Sequence, residues 1–138
     1  MIRQIAMSLL FWAEPALAWC PCSEVETPAE AFEGDSQVFV ATVLKIDRSQ
    51  KTVSVSLRVT EPFKGLSGAG SISIESAKDG CMYPFEVGRQ YLVYGQVKDG
   101  KMTTSVCRRT GPFAWSSKEI DLLRKRVNAP PRSERWFE

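Results

Sequence analysis

The sequence of 138 residues contains no histidine, and this absence narrows the chemistry that the chain can perform. Histidine is the side chain that most often activates a serine or cysteine nucleophile, and it is the commonest metal ligand. The carboxylates Glu61, Glu75 and Glu86 lie beside predicted strands, with no spacing typical of an acid–base pair. The glycine-rich stretch 65–70 lacks the lysine and the following helix of a phosphate-binding loop. We therefore expect a protein that is not an enzyme, with no catalytic residue and no cofactor.

The chain also lacks an apolar run long enough to cross a membrane, which takes about 20 residues. Arg3 precedes a short apolar run over 5–13, and Glu14-Pro15 separates that run from Ala16-Leu17-Ala18. This order is the layout of a signal peptide with an Ala-x-Ala cleavage site. A buried N-terminal helix is the alternative, but Pro15 would interrupt it. We expect signal peptide 1–18 to be removed and the mature chain to be secreted or periplasmic, with no membrane span.

Cysteine is scarce, and the four cysteines all follow the predicted cleavage site: Cys20, Cys22, Cys81 and Cys107. An even number in a small exported domain indicates two disulfides. A Cys20–Cys22 bond is sterically poor, because alternate residues of an extended chain face the same way. Each therefore pairs with a distant cysteine, and the sequence leaves both remaining pairings open. An intrinsic zinc site of four thiolates is not expected, since neither side has a Cys-x-x-Cys knuckle.

Short segments of alternating or β-branched residues predict an all-β domain over 19–128, followed by a C-terminal tail over 129–138. Residues 23–34 predict a loop with a short helical turn. The predicted strands cover 37–46, 53–60, a segment around 72–74, 91–97 and 102–106, and Glu61–Gly65 is expected to end the second. Lys98-Asp99-Gly100-Lys101 is a tight hairpin signal between the last two. Five short strands with turns between them suit a small, partly open barrel of the OB type.

A helix is predicted at the end of the domain. Ser116 and Glu119 have the spacing of a capping box, and Trp115 and Ile120 have that of a hydrophobic staple. Apolar residues recur at helical spacing and are expected to pack on the barrel: Ile120, Leu123 and Val127. Asn128–Pro131 ends the helix.

Charge is unevenly distributed, although the net charge is only +2. An acidic stretch lies within 24–35, and basic residues are concentrated in 108–135. We expect these to be solvated faces that contact each other. Four aromatic residues are expected in the core or at its rim, rather than as a stacking platform for single-stranded nucleic acid: Tyr83, Phe85, Tyr91 and Tyr94. No nucleic-acid partner is predicted.

An ordered set of short motifs resembles a known family. In chain order they are Cys20-Pro21-Cys22, the strand segment 38–43, Phe63-Lys64-Gly65, the segment 81–93 and Ser105–Thr110. Their order is similar to that in the tissue inhibitors of metalloproteinases (TIMPs) and the wider netrin-like domain family, over roughly Cys20 to Leu123. The resemblance implies an OB-type barrel whose N-terminal segment is attached by two disulfides. Carried over in order, it implies the pairs Cys20–Cys81 and Cys22–Cys107.

The resemblance also implies a binding site. TIMPs inhibit zinc metalloproteinases through an N-terminal Cys-x-Cys ridge, so the candidate protease-binding ridge is Cys20, Pro21 and Cys22. Cys20, if it were the first residue, would chelate the protease's catalytic zinc with its amino group and carbonyl oxygen, and Pro21 would enter the substrate pocket. Cleavage after Ala18 leaves Trp19 in front, and the Cys20 nitrogen is then an amide. The predicted function is metalloproteinase inhibition, and the alternative is a periplasmic or extracellular protein-binding or structural module with no protease target.

Overall fold

A computed structural model describes residues 20–23, 26–66, 68 and 70–128. The predicted signal peptide, Trp19 and the predicted tail lie outside these residues. The elements are helix α1 (Pro28–Gly34), strands β1 (Gln37–Asp47), β2 (Thr52–Lys64), β3 (Gly70–Ala77), β4 (Gln90–Lys98), β5 (Lys101–Thr103) and β6 (Gly111–Pro112), a 3₁₀ turn (Phe113–Trp115) and helix α2 (Ser117–Val127). Among the described residues, no helix is both long and apolar enough to cross a membrane.

Strands β1 to β5 form a closed barrel. Their order around it is β1-β2-β3-β5-β4, and β4 pairs with β1 to close the sheet. The pairings are antiparallel except for that of β3 with β5, where Ile74 lies opposite Met102. The short β6 adds to β4, with Leu92 opposite Gly111. The prediction of an all-β, OB-type barrel of five strands with a C-terminal helix is confirmed, but the barrel is closed rather than partly open, because β1 and β4 pair over six residues.

Strands β1 and β4 are buried on both faces, which explains why both read as continuous apolar runs. From β1, Phe39 points into the barrel, whereas Val38 and Val40 belong to a second core outside it. From β4, Val93 points inward and Leu92 outward. The inward residues of β2 alternate with more exposed ones, as predicted for a half-buried strand: Val53, Val55, Leu57 and Val59.

The second core lies between the outer face of β1 and β4 and the two helices. Ala31 from α1 and Ile120 and Leu123 from α2 are buried in it, together with Phe63. The prediction that α2 packs on the barrel is therefore confirmed for Ile120 and Leu123. Val127, which was expected on the same face, is 49% exposed.

Two strand boundaries differ from the prediction. β2 does not end at Glu61 but continues to Lys64, because Pro62 lies where the pairing of β1 with β2 shifts register and no regular ladder bond is required of it. β5 ends at Thr103 rather than Val106. Beyond it, the Thr104 hydroxyl donates to the Tyr94 carbonyl oxygen (2.7 Å), so a side-chain bond replaces the ladder.

The predicted capping box at α2 is wrong. The Ser116 hydroxyl makes no cap bond and instead donates to the Pro112 carbonyl oxygen at 2.8 Å. The staple is also wrong, because Trp115 is 87% exposed and does not pack against Ile120. A capping box does occur at α1, where Thr27 and Glu30 each accept a bond from the other's backbone N–H at 3.2 Å. The helical turn predicted within 23–34 is this α1.

The hairpin between β4 and β5 is the predicted tight turn. Asp99 and Gly100 have φ values of 53° and 75°, the left-handed pair that a two-residue type I′ turn requires. Lys98 and Lys101 pair directly across it.

Gly65 and Gly100 provide a matched pair of substitutions. Both have positive φ, but a Cβ on Gly65 would overlap the carbonyl oxygen of Ser36, whereas a Cβ on Gly100 meets open space. We expect Gly100→Ala to lower the free energy of unfolding by about 1 kcal/mol, through backbone strain alone. Gly65→Ala should lower it by at least about 3 kcal/mol, since the overlap adds to the strain. Urea unfolding measures both, and equal losses would contradict the described approach of Gly65 to Ser36.

Candidate functional site

Two disulfides attach the N-terminal segment to the barrel. They join Cys20 to Cys81 and Cys22 to Cys107, with Cα separations of 4.9 and 5.3 Å. This is one of the two pairings that the sequence left open, and it is the one implied by the family resemblance. Disulfides of this kind are typical of proteins outside the cytoplasm.

The two loops that hold the ridge are fixed to each other. The backbone N–H of Val106 donates to the Cys81 carbonyl oxygen at 2.9 Å, which ties the loop after β5 to the loop after β3. Within the loops, the Cys81 N–H donates to Asp79 Oδ1 (2.9 Å) and the Cys107 N–H donates to Ser105 Oγ (3.2 Å). Cys81 and Cys107 are therefore presented side by side at one end of the barrel.

An aromatic cluster joins the loop that contains Cys81 to strand β4. The rings of Tyr83, Phe85 and Tyr91 have centroids 4.7 to 5.7 Å apart, and the Tyr91 hydroxyl accepts the Glu86 N–H at 2.9 Å. Phe85 and Tyr91 are buried, as is Tyr94, and Tyr83 is partly buried. The prediction that these aromatic residues belong to the core or its rim is confirmed.

The ridge is exposed although its ends are anchored. Cys20 is half-buried, whereas Pro21 and Cys22 are exposed to solvent, as is Ser23. The predicted ridge Cys20-Pro21-Cys22 is thus a short surface element with a disulfide on either side of Pro21. A partner protein can reach it without displacing other described residues.

The segment Cys107–Thr110, which we call the clamp, joins the ridge to the rest of the fold. Cys107 is bonded to Cys22, and Arg109 Nη1 donates to the Glu26 carbonyl oxygen at 2.9 Å. The Thr110 hydroxyl accepts the backbone N–H of Tyr94 at 2.9 Å. From sequence, the clamp is a motif of the resembled family and its arginines belong to the basic stretch expected to contact the acidic one, but the individual partner Glu26 leaves no local pattern.

Glu119 is the partner of the clamp on α2. Its carboxylate accepts two bonds from Arg109, Nε at 2.7 Å and Nη2 at 3.1 Å, and a third from the Tyr94 hydroxyl at 2.7 Å. Burial, and then the bond to Glu119, raises the pKa of Tyr94 well above its usual range, so this hydroxyl remains a donor. The same carboxylate raises the pKa of Arg109. The predicted capping box fails because Glu119 is committed to these partners.

A second charged cluster lies beside the clamp. Arg108 Nη1 is 3.3 Å from Asp35 Oδ1 and 3.6 Å from Glu26 Oε1. Asp35 is buried, and neither of its carboxylate oxygens meets hydrogen-bond geometry with any described residue. Burial raises the pKa of Asp35 above its ordinary value, and the Arg108 guanidinium opposes that rise.

Acidic and basic faces contact each other, as predicted. Besides the Arg108 cluster, Arg126 pairs with Glu33 of α1, and Arg124 forms two bonds to Glu61 at 2.7 and 2.8 Å. The carboxylates considered as acid–base candidates are not brought together. Glu61 pairs with Arg124, and two other exposed ion pairs join Glu75 to Lys101 and Glu86 to Arg89.

Three sulfur atoms, two from the ridge and one from the clamp, lie close together. The Sγ atoms of Cys20, Cys22 and Cys107 are within 4.8 Å of one another. All three are in disulfides, and a disulfide sulfur is not the thiolate that binds zinc. In this oxidised form the cluster therefore crosslinks the chain rather than offering thiolate ligands.

Comparison with known proteins does not assign this chain to a family. No protein-family model matches it, and no curated protein matches it significantly. Functional inference therefore depends on the geometry and chemistry of the ridge.

Removal of the Glu119 carboxylate should destabilise the fold. Glu119→Ala leaves Arg109 and the Tyr94 hydroxyl without their acceptor, and we expect a loss of roughly 2–4 kcal/mol in the free energy of unfolding. The matched control on the same helix is Asp121→Ala, which removes an exposed ion pair with Arg124 and should change that free energy by less than about 0.5 kcal/mol. Chemical denaturation compares the two, and similar small effects would contradict the role of Glu119.

Asp35 should make stability depend on pH in a defined direction. Its pKa is raised on folding, so it stabilises the fold in its protonated form below the ordinary value of 3.8, and this contribution is lost as pH rises through the folded pKa. Asp35→Asn keeps a neutral side chain at every pH. We therefore expect the stability of Asp35→Asn relative to the unmodified protein to increase between about pH 3.5 and about pH 7. Urea unfolding of both proteins at the two pH values measures this difference in stability. A decrease in the relative stability of Asp35→Asn would mean that the Arg108 charge outweighs burial in setting the pKa of Asp35.

Proposed function

We propose that this protein is exported and binds a zinc metalloproteinase through the ridge Cys20–Cys22, inhibiting it. The observation that carries the proposal is that the ridge is exposed yet bonded through Cys20 and Cys22 to two different loops. It is an accessible chain segment of fixed shape, which is the form in which rigid inhibitors present themselves to a protease.

The crosslinks support tight binding by lowering its entropic cost. A free N-terminal segment would lose roughly 1–2 kcal/mol of backbone freedom per residue when it settles on a partner. In this chain much of that freedom is already lost when the disulfides form, and the Arg109 bond to Glu26 restrains the segment just beyond the ridge. Less of the interaction free energy is then needed to order the segment, and more of it contributes to affinity.

The chemistry of Cys20 suits an open zinc site. A catalytic zinc keeps one position for a water or substrate oxygen. An α-amino group and the adjacent carbonyl oxygen together can occupy that position and displace the water. Pro21 follows directly and is exposed. Its side chain is then the next group to approach the protease's substrate pocket, as the resemblance to the TIMPs implies.

One observation favours a second function, that of a binding or structural module without a protease target. The Ala-x-Ala pattern predicts cleavage after Ala18, and a chain cleaved there keeps Trp19 bonded to the Cys20 nitrogen. An amide nitrogen is a poor metal ligand. The extra residue should not change the affinity of a module that binds through the surface of the ridge, whereas it should abolish chelation of zinc by the Cys20 nitrogen.

The decisive experiment compares two chains that differ by one residue. One begins at Cys20 and the other at Trp19, each released from a fusion tag and oxidised, and each is assayed against a panel of zinc metalloproteinases. We expect the Cys20 form to inhibit and the Trp19 form to bind at least about 100-fold more weakly, because its nitrogen cannot chelate the metal. Matching thermal unfolding of the two forms is the control for folding.

Two results would contradict inhibition through zinc. One is equal inhibition by both forms, which would indicate a surface contact that does not use the amino group. The other is an absence of inhibition by the folded Cys20 form, which would leave the module without a protease target as the better account.

A further inference from the structure

The two disulfides touch each other. Cys20 Sγ and Cys107 Sγ belong to different bridges but lie 3.5 Å apart, a non-bonded contact between sulfurs. Cys22 Sγ completes the group of three sulfurs within 4.8 Å, and Cys81 Sγ is not part of that group. One sulfur of each bridge is therefore adjacent to the other bridge.

Such a contact has a specific chemical consequence. Thiol–disulfide exchange requires a thiolate that can reach a disulfide sulfur, and access is one of the factors that set its rate. If the Cys22–Cys107 bridge opens and Cys107 becomes a thiolate, Cys20 Sγ of the other bridge is already in contact with it. The same holds for a Cys20 thiolate and Cys107 Sγ. The loop contact between Val106 and Cys81 holds the two bridges side by side without depending on either bond.

We propose that Cys20 and Cys107 form a thiol-exchange site, which retains a small external thiol on Cys22 as a mixed disulfide. Cys22 is the exposed cysteine of the four, and the other three are half-buried. The attacking thiolate must reach Cys22 at the surface, and a low-molecular-weight monothiol can do so. Exchange at this site needs no protein partner and is independent of the proposed inhibition.

The reaction balances without a further oxidant or reductant. The external thiolate attacks Cys22 Sγ, forming a mixed disulfide there and releasing Cys107 as a thiolate. Cys107 then attacks Cys20 Sγ, so the Cys20–Cys107 bond forms, the Cys20–Cys81 bond breaks, and Cys81 leaves with the electron pair and takes up a proton. The product has the Cys20–Cys107 bridge, a mixed disulfide on Cys22 and a free Cys81 thiol. It contains two disulfide bonds, as the starting protein does, so no net oxidation or reduction occurs.

Two single variants test the contact without an added thiol. Cys22→Ser leaves a Cys107 thiol beside the Cys20–Cys81 bridge, whereas the control Cys20→Ser leaves a Cys81 thiol outside the sulfur group. Each is purified as a folded, oxidised chain at acid pH, shifted to mildly alkaline pH and alkylated over time, and the labelled cysteine is located by peptide mass spectrometry. We expect alkylation to move from Cys107 to Cys81 in Cys22→Ser. The exchanged bridge should be at least about tenfold more abundant than any exchange in Cys20→Ser, and it should form faster as pH rises, since the thiolate is the nucleophile.

The unmodified chain provides a second test that does not depend on the folding of a variant. It is incubated with glutathione below the amount needed for full reduction and then alkylated. We expect a Cys20–Cys107 linked peptide with glutathione on Cys22 and the alkyl label on Cys81, identified by fragmentation between Cys20 and Cys22. Retention of Cys20–Cys81, with glutathione or label confined to Cys22 and Cys107, would overturn the proposal. So would label that stays on Cys107 in folded Cys22→Ser.

Discussion

Strands β1 and β4 pair with each other and are buried on both faces, and the other elements are arranged by that constraint. The inner face must be covered by other strands, and β2, β3 and β5 complete the closed barrel around it. The outer face must be covered as well, and α1 and α2 supply that cover through Ala31, Ile120 and Leu123. Burial of this apolar area is the main source of favourable folding free energy.

The clamp Cys107–Thr110 links this framework to the ridge. It leaves β5, is covalently bonded to Cys22, contacts Glu26 and Glu119 through Arg109 and returns to β4 through Thr110. Four successive residues thus connect the N-terminal segment, α2 and the barrel. The ridge is therefore placed by the interior of the fold and not by surface contacts alone, which is why it can be both exposed and fixed. That combination is what the proposed binding function needs.

Much of the fold follows from local sequence, and the exceptions have physical causes. Alternation in β2, the Asp99-Gly100 turn and the existence of β1 follow from local pattern, so they can be predicted, whereas the burial of β1 on both faces was not part of the prediction. The cap of α2 could not be, because Glu119 exchanges a local bond for contacts with Arg109 and Tyr94, which are distant in sequence. The same holds for Asp35, whose burial depends on the packing of the clamp. At the site, the four cysteines and the ridge are evident from sequence, whereas the disulfide pairing depended on the family resemblance and the contact between the bridges needed three-dimensional structure.

We infer that the two disulfides hold the ridge rigid in the free protein. This rigidity can be measured by ¹⁵N relaxation of the oxidised protein, with the order parameters of the Cys22 and Ser23 amides compared with those of β4. We expect order parameters of about 0.85, close to those of the barrel strands, and a fall below about 0.6 after both bridges are reduced. Order parameters already below about 0.6 in the oxidised protein would contradict it, because a mobile ridge would not be preorganised for a partner.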